Sequence, residues 1–520
     1  MIDIQEQINS LSPAKRQLLE LLRREAKINV PSSVPRLRGA TDEVPLSFAQ
    51  ERFWMFDQII PDKWAYNIPA RVRLRGSLRI EALEASLTEV IRRHETLRTR
   101  FIVKADRVVQ VVDEPQPIRI EVRDLRDLDE HGREVETSRF CADDARQSFD
   151  LSQGRLLRAA LLWLAEDDYI VMLTTHHIVS DDWSMVVLID ELARLYGAFC
   201  EGESSPFTEL SFQYADYVLW QRDGLQGEES TAQLTYWKQQ LANSPRALQL
   251  PTDRPRPAIQ TFRGASQKLE LTSELAASLK TLGREEHATF FMTLLAAFNV
   301  LLKYSSGQDD ILIGTPIANR TRPETERLIG CLMNTLVLRA DVSGDPTFRE
   351  LLRRVRQTTL QAYSHQDLPF ERLLEELKPE RDTSRSPLFQ VMLSMHNVPM
   401  PLPVLAGLTL SPLESTHTTA KYDLLLNLRE TGQGLTGVME YNSDLFDAVH
   451  IARLLRHFEL LLLTIAARAD APVSELVEAL VEDERSQQLM MEANLDEARR
   501  QKYQKVSRRV LSTNLATCET

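Results

Sequence analysis

TTHHIVSDDWSMVV (residues 174–187) sets two adjacent histidines four and five residues ahead of a pair of aspartates. The β-rich run DDYIVMLTTHHIV (167–179) leads into it, and SMVVLIDELARLYGAF (184–199) follows with helical period. A strand end that feeds a helix start is therefore expected here. Neighbours on a regular strand point to opposite faces, so His176 and His177 cannot both aim at one metal ion. The chain has no HExxH and no Cys/His set at ligand spacing, so no metal is expected. It has no GxSxG nucleophile turn, and nothing marks Ser180 as activated. Two readings stay open on these residues alone. In one, His177 faces a cleft and acts as base or hydrogen-bond partner for a nucleophile that a substrate brings, with His176 packed inside. In the other, the motif is a satisfied core histidine and a helix N-cap aspartate.

Outside this stretch, 520 residues exceed one ordinary core, so two large lobes with tails are expected. A net charge of −13 argues against nucleic acid, since phosphate binding needs a basic surface. Four scattered cysteines without CxxC suit a reducing, cytoplasmic setting. The start MIDIQEQ shows no secretory signal, and the longest apolar stretches, such as FELLLLTIAA (458–467), are too short to span a bilayer. Ser12 and Pro13 read as a helix start, followed by the turn-rich connector VPSSVPRLRGATDEVP (30–45). The boundaries drawn are a helix and linker over 1–44, a first lobe over 45–225, a crossing segment over 226–259, a second lobe over 260–480 and a charged tail over 481–520. Both lobes mix strand and helix patterns, so the fold class is α/β.

Further signatures accompany the histidine pair: PLSFAQERFW (45–54), RRHETLRTRF (92–101), YADYVLWQR (214–222), IGCLMNTLVLR (329–339), HQDLPFERL (365–373) and RDTSRSPLFQ (381–390). In this order, and with HHIVSDDWS resembling HHxxxDG, they resemble the motifs of nonribosomal peptide synthetase condensation domains, relatives of chloramphenicol acetyltransferase. The resemblance implies two acetyltransferase-like lobes in a V-shaped pseudo-dimer with a central tunnel. It implies amide formation between an acyl or peptidyl thioester on one carrier protein and an amine on a second. An ester-forming variant with an alcohol acceptor stays open, as does a silent module that recruits a tailoring enzyme. The resemblance further implies a monomer with donor and acceptor carriers as partners, no nucleic acid or membrane, and no cofactor of its own, since the phosphopantetheine belongs to the carriers.

Carried over by position, His177 is the catalytic histidine, supported by His176, Asp181, Asp182, Trp183 and Ser184. Asp181 is expected to pair with Arg93, while Arg98, Trp220 and Asn334 stand at structural or tunnel positions. The donor of oxyanion stabilisation is not identified. Trp183 precedes Ser184, unlike in epimerising relatives, and both histidines remain, unlike in cyclising ones; the overall wording resembles domains that join an L-donor to an L-acceptor. Asp182 stands where the family has glycine, a residue that permits positive φ or close backbone approach. Without carrier, adenylation or thioesterase motifs, the chain is expected to be one free-standing condensation unit whose termini dock its carriers.

Overall fold

The computed structural model describes residues 43–490, apart from 61–62, 226, 381, 397–404, 406 and 414–418. The expected helix start at Ser12, the 30–42 connector and the basic tail segment lie outside the described residues.

The first lobe is built on a five-stranded sheet in the order Leu408–Pro412, Asn67–Gly76, Asp168–His176, Leu157–Ala165, Glu121–Asp124. Helices Ile80–Arg93 and Asp182–Glu201 cover it because their apolar residues recur at helical spacing. Leu83, Leu87 and Val90 meet Leu188, Leu192 and Leu195 over Leu161, Val171 and Leu173 of the sheet, all buried. The chain enters the strand Asp168–His176 through a tight turn and leaves it at the histidine pair.

The second lobe carries a six-stranded sheet in the order Asn334–Asp341, Asp310–Ile317, Val391–His396, Leu424–Thr431, Gly434–Asn442, Gly264–Thr272. Its central helix, Phe290–Ser306, is apolar around its whole circumference and is buried continuously from Phe291 to Leu302. A helix with that pattern has no face for water and must lie inside. The segment 226–259 contributes the helix Glu228–Gln240, whose Trp237 is sealed into this second core with Leu241 and Leu248.

Two features tie the lobes together. The strand Leu408–Pro412 comes from the second half of the chain yet pairs antiparallel with Asn67–Gly76, with Leu410 opposite Leu74. That strand lies at the sheet edge, where Pro412 costs no ladder bond. Gly76 is required at the junction: its φ is +125°, and a Cβ there would stand 2.3 Å from the Gly407 carbonyl oxygen. A separate apolar cluster also crosses the junction, joining Phe53, Tyr66, Ile178 and Val179 to Phe262 and Cys331.

Candidate active site

His176 ends its strand and His177 begins the turn that follows, so the two rings diverge. His176 is buried edge-on against Phe149, centroids 6.2 Å apart, and its Nδ1 accepts the Ile178 N–H at 3.1 Å. Burial, with Lys421 and Arg158 nearby, pushes its pKa down to about 3, so the ring is neutral with its proton on Nε2. His177 stacks on Phe53 at 4.9 Å with 15° between planes, and its backbone N–H donates to the Tyr66 carbonyl at 2.9 Å. Burial, and then the positive charges of Lys421 and Arg52, hold its pKa well below the ordinary histidine range. Its Nδ1 is buried with no other residue bonded to it, and only the histidine's own backbone favours a proton on the ring. Nε2 has no protein partner among the described residues, and the ring keeps partial exposure. The result is an uncharged imidazole, fixed on one face and open to accept a proton.

Asp181 caps the helix Asp182–Glu201: its Oδ1 accepts from Ser184 N at 2.8 Å and lies 2.6 Å from Ser184 Oγ. The expected pair with Arg93 does not form. Arg93 reaches Glu191 Oε2 at 3.2 Å and Oε1 at 3.3 Å, and donates to the Thr208 carbonyl at 2.7 Å. The reason is the helix rise: Glu191 lies ten residues past Asp181, about 15 Å along the axis, at the level of the Arg93 end of the neighbouring helix. Asp181 instead takes Arg320, from the second half of the chain, at 3.0 Å, and accepts Leu332 N–H at 3.0 Å. No sequence signal separates Arg320 from Arg322, the other arginine of the loop ANRTRPETE.

Asp182 is the first residue of that helix, is exposed and is absent from the positive-φ residues, so the backbone needs no glycine there. Trp183 Nε1 donates to the Glu326 carbonyl at 2.8 Å, and Ser184 Oγ accepts Gly330 N–H at 3.0 Å. Gly330 is a close approach, since a Cβ would meet the Tyr214 ring at 2.1 Å. Arg98 donates to the Asp113 carbonyl, and half-buried Trp220 packs on Tyr217 beneath Arg322. Asn334 is buried and pins the HQDLPF loop: its Nδ2 donates to Gln366 O at 2.9 Å and Leu368 O at 2.8 Å, and its Oδ1 accepts Phe370 N–H at 3.0 Å. That places Glu371 to bind Arg52 at 3.1 Å, and Arg52 in turn lies over the Phe53 ring at 5.0 Å. From PLSFAQERFW, Gln50 Nε2 donates to the Ile178 carbonyl at 3.2 Å and so holds the histidine turn directly. Among the described residues no group of three His, Cys, Asp or Glu is disposed to hold a metal.

The site is thus a buried histidine held at the junction of two α/β lobes that are joined by one crossing strand and a shared apolar cluster. Residues 40–490 match the family model of the condensation domain, and the chain belongs to that family. It is 45% identical over 480 residues to a linear gramicidin synthase protein of Brevibacillus parabrevis, covering 92% of this chain and 6% of that protein. The chain thus spans a small fraction of this large relative. In structure it is similar to the X-domain from teicoplanin biosynthesis, with TM-score 0.79 and 30% identity, covering 85% of this chain and 99% of that one. The same X-domain in complex with OxyB matches with TM-score 0.78 and 30% identity, covering 86% and 98%.

Proposed function

We propose that this chain joins an acyl or peptidyl thioester, held on one carrier protein, to an amine held on a second, and releases the amide. The observation that carries the reading is His177: neutral, stacked on Phe53 and free at Nε2 in the lobe junction. The incoming α-ammonium first loses a proton. The amine lone pair then attacks the thioester carbon, and His177 Nε2 takes the proton that nitrogen sheds; in the alternative, His177 only orients the amine by accepting its hydrogen bond. Collapse of the tetrahedral intermediate breaks the C–S bond, and the thiolate takes the proton back. His176, Asp181, Ser184 and Asn334 position the histidine turn and its surroundings without touching substrate, while Arg93 braces Glu191 further along the helix. The phosphopantetheine arms arrive on the carriers, so this chain supplies no cofactor. Donor and acceptor are read as L-configured, and the segments 1–44 and 481–520 as docking candidates.

The second reading, recruitment without chemistry, is favoured by the likeness to an X-domain solved in complex with OxyB. One experiment separates the two. The protein is mixed with a loaded donor carrier and an acceptor amine or alcohol, and product mass is followed for wild type and His177→Ala. Amide from wild type alone is the expected result. Product undiminished in the variant refutes the role of His177, ester in place of amide identifies an alcohol acceptor, and carrier binding without product from any nucleophile supports recruitment.

A further inference from the structure

Lys421 belongs to the second lobe, three residues ahead of the strand Leu424–Thr431, yet its ammonium stands 5.0 Å from the centre of the Tyr66 ring in the first. Tyr66 is tied to the histidine turn directly and through Phe53: its carbonyl accepts His177 N–H, and its ring packs edge-on at 5.0 Å against Phe53, on which His177 stacks. Lys421 therefore lies on Tyr66 and His177 on Phe53, the two members of one aromatic pair. The backbone at 420–421 is held in place, with Ala420 N–H donating to Phe262 O at 2.9 Å and Gln260 Nε2 to Lys421 O at 2.9 Å.

Arg52, a second cation close to His177, is committed to Glu371 at 3.1 Å. Lys421 is not committed. Among the described residues its Nζ donates no hydrogen bond and has no carboxylate within ion-pair distance, although the residue is only partly exposed. The acidic groups facing it, Glu440 and Asp182, act from a distance, and Glu440 is itself engaged by Asn427 at 2.9 Å. An ammonium with three donors in such a place calls for an oxygen ligand. Amide formation creates one, because attack on the thioester drives the carbonyl electron pair onto oxygen.

We propose that the Lys421 ammonium donates to the thioester carbonyl oxygen and stabilises the oxyanion of the tetrahedral intermediate opposite His177. This rests on the functional reading above. The C–N bond forms, the C=O π pair becomes the third lone pair on oxygen and binds Nζ–H, and the C–S bond breaks as the carbonyl re-forms; Lys421 keeps its proton throughout. The same charge is the foremost one that disfavours protonation of both histidines, with Arg52 and His176 the others that face His177. Burial lowers the pKa of Lys421 itself, and Asp182 and Glu440 oppose that shift, while Arg52 adds to it.

Single-turnover and steady-state rates with loaded carriers test this in wild type, Lys421→Met and Lys421→Arg, with thermal melts of each. Lys421→Met is expected to lower kcat about 10²- to 10³-fold, as loss of an oxyanion donor does, with KM changed only a few-fold. Its melting temperature stays at or above wild type, since an uncompensated charge has been removed. The acid limb of its pH–rate profile moves upward, and Lys421→Arg restores part of the rate. An active wild type with Lys421→Met within threefold in kcat and an unmoved acid limb overturns the assignment alone. A wild type that makes no product overturns the functional reading and this assignment with it.

Discussion

Asp181 and Arg320 close the two halves of the chain onto each other through an ion pair of 3.0 Å, with side chains 3% and 1% exposed. A pair so buried gains from geometry rather than from its charges alone, because both ions have left water. Here most of the polar atoms are served: Asp181 also takes two N–H groups and a hydroxyl, and Arg320 also binds the carbonyls of Thr325 and Leu328, with its Nε left buried and unpartnered among the described residues. The motif aspartate is thus a clamp between the lobes, just beyond the turn that His177 opens.

Arg320→Met is expected to destabilise the protein by roughly 3–5 kcal/mol in urea denaturation, since it strands a buried carboxylate. A double-mutant cycle of Arg320→Met with Asp181→Asn should show strong coupling. The cycle of Arg93→Met with Asp181→Asn should add within about 0.5 kcal/mol, because Arg93 is bound to Glu191. Coupling found in the second cycle rather than the first would contradict the pairing described.

Asp182→Gly tests whether the family glycine is needed for shape. The residue is exposed at the first helical position with ordinary φ, so a helix-dipole contribution, a distant attraction to Lys421 and backbone entropy are what is lost. The expected cost is about 1 kcal/mol or less in thermal melts. A loss of several kcal/mol would show that the carboxylate is a structural partner.

Asn334→Ala should be far more costly than its size suggests. Its amide serves two carbonyls and accepts from the N–H groups of Thr335 and Phe370, so its loss leaves buried groups unpaired. About 2–4 kcal/mol is expected from urea denaturation, together with reduced turnover as Glu371 loses its hold on Arg52. Wild-type stability in the variant would remove Asn334 from the framework.

Acidification should destabilise the protein through its buried histidines. His176 titrates near 6.5 when unfolded and at about 3 when folded, so between these values the unfolded chain binds the extra proton. Stability present above pH 6.5 is lost as pH falls, by roughly 1.4 kcal/mol per pH unit for one such histidine. In His176→Gln the slope of unfolding free energy between pH 6.5 and 5 should be shallower by that amount. An identical slope would mean that His176 is already charged in the folded state.

Much of this protein is legible in its residues alone. The alternation of apolar strands with helical runs gives two α/β lobes, and the strand-to-turn passage at His176–His177 splits the rings because adjacent side chains diverge. Spacing along one element is set by backbone geometry, which a sequence carries in full. What it does not carry is which distant segments meet. That Arg320 rather than Arg93 meets Asp181, that Leu408–Pro412 completes the first lobe's sheet, and that Lys421 reaches Tyr66 are outcomes of docking one lobe on the other. Partner choice there is settled by the burial of a shared apolar junction and the satisfaction of its charges, and those are properties of three-dimensional contact alone.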